Sequence, residues 1–232
     1  MKNKDALKIS LLAILFGVLL GVVILLLTGR DPFYLFYGLV RGASGLDLIK
    51  GGSINPRYIG EFIVASMPII LTGLSVAFAY RTGLFNIGAE GQLMVGACAS
   101  IATAVLFPQI PVVHMLVSVL AGILAGAAWG FLPGILKSKF NLHEVVICIM
   151  MNYIGMYLAN YVYVQLPGSD TSRTALIPES ASLSNSFFES LTNHSRLNLG
   201  IFFVILAVLA YWFIIEKTSF GYGFRATGFN KE

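Results

Sequence analysis

Six runs of apolar residues divide the chain, broken by shorter polar intervals. The runs are Ile9 to Leu27 and then about 59–80, 88–107, 112–136, 144–166 and 199–215. A transmembrane helix needs roughly 20 mostly apolar residues, and each run approaches or exceeds that length. The pattern predicts an all-α, polytopic membrane protein with about six transmembrane helices, occupying 1–232 as one domain. Residues 1–8 are polar and carry Lys2, Lys4 and Lys8. A cleaved leader would have an apolar core of about 7–15 residues and a small-residue cleavage site. The run here is longer and ends in Thr28-Gly29-Arg30-Asp31-Pro32, which reads as a retained first span.

The intervals carry their own signals. Residues 29–58 form a long connection in which Phe33-Tyr34-Leu35-Phe36-Tyr37 suits the membrane surface, where aromatic rings settle. Pro68 falls mid-span and predicts a kink or break. Glycines at 122, 126, 130 and 134 make a small-xxx-small stripe on the fourth span, the pattern that lets two helices pack backbone to backbone. Tyr153, Tyr157 and Tyr161 step by four along the fifth, and both packing and the lining of a path fit them. His114, a lone histidine near a span end, receives no role. Residues 167–198 are rich in Ser, Thr, Asn and Pro and predict an exposed loop.

The most functional run is Arg81-Thr82-Gly83-Leu84-Phe85-Asn86-Ile87-Gly88-Ala89-Glu90-Gly91-Gln92. It predicts a broken or kinked helix near 83–92. Asn86 and Glu90 are four apart and would share a helix face. A carboxylate at membrane depth is expensive and reads as functional. The competing reading puts Glu90 at a helix start, where the dipole favours its charge. Asn152, an amide in the fifth span, needs a partner to be buried there. Asn86, Glu90, Gln92 and Asn152 are therefore expected to gather, with Phe85 and Tyr153 beside them, as a substrate-binding or translocation path.

Composition sharpens this picture. The chain is 57% hydrophobic and 11% charged, against about 25% charged in soluble domains. A net charge of +4 calls for no nucleic-acid partner. Cys98 and Cys148 lie in apolar segments and read as small buried hydrophobes. No metal spacing occurs and no cofactor is expected. Basic residues favour one side: Lys2, Lys4, Lys8, Arg81, Lys137, Lys139, Lys217, Arg225 and Lys231 against Arg30, Arg41, Lys50, Arg57, Arg173 and Arg196. The first set marks the cytoplasmic side, so both termini are expected there and 167–198 is expected to be extracytoplasmic.

Three blocks resemble one family, the permease subunits of ABC importers for nucleosides and simple sugars. Ala79 through Gln92 looks like that family's signature. His143-Glu144-Val145-Val146 followed by Met150-Met151-Asn152-Tyr153-Ile154 is similar to its second block. Thr218 to Glu232 resembles the start of its cytoplasmic ATPase-engaging loop, with Gly221, Arg225, Ala226, Gly228, Asn230 and Glu232 on the family's spacing. The resemblance implies a multi-pass subunit of the bacterial plasma membrane. It implies as partners an ABC ATPase, a second permease subunit, an extracytoplasmic substrate-binding lipoprotein, a small neutral solute and membrane lipid. It also makes 216–232 an ATPase-coupling loop, in which Phe220 and Phe224 would anchor on one helical face and Arg225 would meet an acidic group of the ATPase. In the family this loop continues into further spans, so the chain looks like the N-terminal two-thirds of a permease.

The residues themselves agree with this resemblance. Spans bearing amides, hydroxyls and aromatics but little formal charge suit a neutral polar solute such as a nucleoside. No Gly-rich lysine loop for nucleotide phosphates occurs, so ATP would be hydrolysed by a different polypeptide. A secondary transporter using Glu90 as a proton carrier is the alternative. A membrane-embedded enzyme finds no nucleophile–base set or metal cluster in the spans.

Overall fold

The structure is a computed structural model that describes residues 3–49, 51–110 and 112–229, leaving aside the side chains of 3–6 and 229. Helices dominate. In order they are α1 (Asn3–Leu27), α2 (Phe33–Ser44), α3 (Pro56–Arg81), α4 (Ala89–Leu106), α5 (Val113–Phe140), α6 (Glu144–Gln165), α7 (Ser186–Leu191), α8 (Gly200–Lys217) and α9 (Ser219–Phe229). Six helices among the described residues are long and apolar enough to cross a membrane: α1, α3, α4, α5, α6 and α8. Their large apolar side chains stay exposed, Phe16 at 67% and Leu20 at 65% on α1 for example. Lipid tails are as apolar as these side chains, so nothing drives them inward. The protein is a multi-pass membrane protein.

The chain divides into two compact units. The smaller comprises Met1–Ile63 with Ser186–Leu197, the larger Val64–Asn185 with Asn198–Glu232. In the smaller unit, the connection after α1 is more ordered than its composition suggests. It forms α2 and then a two-stranded antiparallel hairpin of β1 (Leu46–Asp47) and β2 (Ser53–Ile54), with Leu46 opposite Ile54. Asp47 is buried, and Tyr37 donates its hydroxyl to Asp47 Oδ1 at 2.6 Å. Arg41 lies 3.6 Å from Asp47 Oδ2 and stands over the rings of Tyr37 and Tyr58. The bond to the Asp47 carboxylate holds the Tyr37 hydroxyl above its ordinary pKa. Farther along, Arg196 donates from its backbone N–H and from Nε to Glu61 at 3.0 and 2.8 Å, which fastens the segment after α7 to the first turns of α3.

In the larger unit α4 is the centre, packed against both α5 and α6. The α4–α5 seam is backbone on backbone. A Cβ on Gly96 would lie 3.0 Å from the Gly122 carbonyl oxygen, and one on Gly122 would lie 3.1 Å from that of Gly96. Gly126 and Gly130 extend the seam along Gln92, whereas Gly134 meets nothing within 4 Å. Three of the four stripe glycines thus face a neighbouring helix. On the other side of α4, Gly155 of α6 sits against Val95 and the Trp129 indole.

Two local features take a definite form. α3 runs through Pro68 without interruption, losing one backbone donor while Thr72 donates its hydroxyl to the Pro68 carbonyl at 2.8 Å. The real interruption is 82–88, between α3 and α4. There Gly83 takes φ +77°, with its N–H bonded to the Tyr80 carbonyl at 3.1 Å and the Leu84 N–H bonded to that of Ala79 at 2.9 Å. This paired closure is a Schellman cap, and its left-handed position favours glycine. His114 also gains a structural account. It is 0% exposed, and its Nδ1 lies 2.8 Å from Ser180 Oγ, pinning the turn Glu179–Ala181 to the start of α5.

Candidate solute site

The cap at the end of α3 decides where the polar residues go. Because the helix stops at Arg81 and the next begins at Ala89, Asn86 lies in the connecting turn and is free to face inward. Asn86 Nδ2 donates to Ser75 Oγ at 2.8 Å, Ser75 Oγ donates to Gln92 Oε1 at 3.0 Å, and Gln92 Nε2 reaches Asn86 Oδ1 at 3.3 Å. The three form a closed neutral ring of hydrogen bonds between α3, the turn and α4. Each amide still has donor or acceptor capacity left over. The ring lines a cavity of about 490 Å³ that also borders Phe78, Phe85 and the Lys137–Glu144 ion pair, closed at 3.0 Å.

Asn152 reaches the same turn from α6 and spends its amide on the backbone. Its Oδ1 accepts from the Gly91 N–H at 2.9 Å and its Nδ2 donates to the Ile87 carbonyl at 3.1 Å. The first N–H groups of a helix have no partner inside it, and the residue before α4, Gly88, has no side-chain cap. Asn152 supplies that cap from another helix.

Glu90 does not join the amides, which corrects the expected cluster. It is exposed in the first turn of α4 and makes no hydrogen bond or ion pair among the described residues. The four-residue spacing from Asn86 would put the two on one face only if the helix already ran through 86, and it starts at 89. Its charge does match the positive end of the helix dipole. Tyr153 is 60% exposed on the outer surface of α6, with Tyr157 and Tyr161 at 67% each. Phe85 is 48% exposed and borders the amide cavity.

A second cavity of about 620 Å³ lies beside the first, with Arg81, Arg225 and Gly228 in its wall. Leu84, Phe85 and Glu144 border both cavities. Here α9 folds back on the end of α3. Gly228 packs on the Arg81 carbonyl so closely that no Cβ would fit, and Phe224 meets Phe78 edge to face at 5.2 Å. Gly221 makes the equivalent close approach to the Ile214 and Ile215 carbonyls. Phe220 and Phe224 do not form one outward face: Phe220 is 76% exposed while Phe224 turns toward Phe78. Arg225 is not left for a partner's acidic group either, since its Nη1 donates to Glu216 Oε2 at 2.9 Å. Glu216 Oε1 also lies 3.4 Å from Arg81 Nη2. The fold-back brings a carboxylate nine residues away within reach. Asn230 lies outside the described residues.

Ser75 and Glu216 join the site without belonging to any of the expected groups. Ser75 was legible as a hydroxyl amid apolar neighbours, three residues after Thr72 on the same helix. Glu216 gave no comparable sign, being one charge among several at a span end. No group of His, Cys, Asp and Glu among the described residues is arranged to hold a metal ion.

Residues 58–232 match the family model described as branched-chain amino acid transport system / permease component. The chain is 42% identical over 230 residues to the guanosine ABC transporter permease protein NupP of Bacillus subtilis, covering 99% of this chain and 64% of that protein. It is 36% identical over 231 residues to the nucleoside ABC transporter permease protein NupB of Lactococcus lactis, covering 97% of this chain and 61% of the relative. The glucose ABC transporter permease protein TsgB13 of Haloferax volcanii is 30% identical over 185 residues, covering 74% and 47%. The chain thus spans less than two thirds of the length of these relatives. No solved structure matches it. With the family model covering most of its length, the chain belongs to the branched-chain amino acid transport system / permease component family.

Proposed function

We propose that this chain is part of the membrane-spanning subunit of an ATP-driven importer for nucleosides, with Ser75, Asn86 and Gln92 as the solute-facing polar ring. The observation that carries the reading is this neutral ring, placed in one cavity with Phe78 and Phe85. A nucleoside presents ring-edge donors and acceptors, hydroxyls and a flat face. Amides and a serine hydroxyl answer the first two, and an aromatic wall answers the third. The charged pair at the cavity edge is self-neutralised, so the site favours neither an anion nor a cation. The names of the relatives, guanosine and nucleoside permeases, support the same solute class.

In this reading both termini face the cytoplasm of a bacterial cell, and the segment 167–198 lies outside, where a substrate-binding lipoprotein delivers the solute. A twin permease completes the path, and a separate ATPase docks on α9 within 216–232. Phe220, exposed on α9 as Tyr222 is, is the anchor the ATPase would cover. The secondary-transport alternative is not favoured, because Glu90 stands apart from the polar ring. The test is ATP hydrolysis by the purified, assembled importer. Nucleosides should stimulate it in the presence of the binding protein. Stimulation by a hexose or a branched-chain amino acid, with none by nucleosides, would overturn the solute assignment.

A further inference from the structure

Two cavities share a wall of Leu84, Phe85 and Glu144; Glu144 is fixed at the start of α6 by Lys137, and the Leu84–Phe85 part hangs from the end of α3. The Schellman cap ties Leu84 to Ala79 and Gly83 to Tyr80 through backbone bonds, so this stretch moves with the helix rather than as a loose loop. α9 is seated on that same cap. The Gly228 backbone lies against Arg81 and Gly83, where a Cβ would collide with the Arg81 oxygen and sit 3.2 Å from the Gly83 nitrogen. Glu216, at the end of α8, holds Arg81 of α3 and Arg225 of α9 on its two carboxylate oxygens, at 3.4 and 2.9 Å. Half-exposed ion pairs add little stability. What a two-armed carboxylate adds is a fixed register between three helix ends.

We propose that α9 and the capped end of α3 form one rigid lever, clamped by Glu216 between Arg81 and Arg225, that shifts the Leu84–Phe85 wall between the two cavities. The proposal rests on the functional reading above, in which the ATPase docks on α9. An ATP-driven partner biases a permease only through contacts that differ between its two states. The lever carries that bias over a short path: α9 to the Gly228 contact, to the Arg81–Leu84 cap, to Phe85. Asn86, the next residue, would then be displaced with the wall, so opening the wall also loosens the polar ring's hold on the solute. Glu216, Arg81 and Arg225 are positioning residues and touch no solute in this scheme.

The test replaces the clamp by a covalent one in the full-length permease assembled with its ATPase and binding protein. Arg81→Cys with Arg225→Cys removes both arms, and nucleoside-stimulated ATP hydrolysis and import should fall about fivefold or more, the scale of ordinary site-to-site coupling. A short bifunctional thiol reagent joining the two cysteines should restore both. The parent protein, whose Cys98 and Cys148 are buried, controls for the reagent. A merely structural role for the arginines would leave the protein inactive after joining. Full activity before joining, or continued loss after it with the ATPase still bound, would overturn the lever. Failure of the parent complex to respond to nucleosides at all would reject the functional reading instead, so the two failures are distinguishable.

Discussion

The Asn152 side-chain oxygen accepts a hydrogen bond from the Gly91 N–H at 2.9 Å, joining α6 to the first turn of α4 across 61 residues of sequence. The same amide donates to the Ile87 carbonyl, so one side chain satisfies two backbone groups of an interrupted helix.

Asn152→Ala should therefore destabilise the protein. An unsatisfied buried polar group costs about 1–3 kcal/mol. Thermal unfolding in detergent should show a lower Tm for the variant, with the loss present in the absence of solute. An unchanged Tm would mean that the turn is held by other contacts.

The glycine seam makes a sharper contrast. A Cβ on Gly126 would already lie 3.3 Å from the Gln92 carbonyl, whereas Leu124 is 67% exposed. Gly126→Leu should lower the yield of folded protein in membranes, and Leu124→Ala should leave it near the parent level. Equal yields would show that α4 and α5 tolerate separation. Gly134→Leu, at the open end of the stripe, should behave like Leu124→Ala.

Ser75 and Asn86 should act as a unit on the solute. Either alanine substitution breaks the ring that orients Gln92, so each should raise the nucleoside KM, by about tenfold for a lost contact near 1.4 kcal/mol. The double variant should lose less than the sum, with a coupling of about 0.5–3 kcal/mol in a double-mutant cycle. Strict additivity would separate the two side chains functionally.

In the smaller unit, Tyr37→Phe removes the donor to buried Asp47. Limited proteolysis at the hairpin 46–54 should be faster in that variant than in the parent. The Tyr37 hydroxyl is held above its ordinary pKa, so its bond is fully present below about pH 10, the unperturbed tyrosine value. It is lost as pH rises through the folded value. Parent and variant should accordingly differ in proteolysis near neutrality and converge in strong alkali. A constant difference at every pH would contradict this.

The spans were legible because a bilayer imposes one rule, about 20 apolar residues, and each run obeys it. The interruption near Gly83 was legible from its glycines and amides. Which residues meet across that interruption was not. A four-residue helical spacing groups Glu90 with Asn86, but that spacing does not hold where the helix has yet to start. Ser75 joined the ring through a contact 11 residues away from Asn86 and 17 from Gln92, with no periodic signal linking them. Arg225 reads in the sequence as a free cation, and only the fold-back of α9 brings Glu216 beneath it. α2 and its hairpin were hidden because a short helix and two-residue strands leave no long hydropathy pattern.

The solute proposed for the importer to which this chain belongs is a nucleoside. The most direct measurement is uptake of labelled guanosine, glucose and leucine by cells carrying or lacking the full-length gene. Loss of guanosine uptake alone, restored by the parent gene and restored poorly by Asn86→Ala at low guanosine, is the predicted result. Unchanged guanosine uptake with loss of glucose or leucine uptake would contradict it.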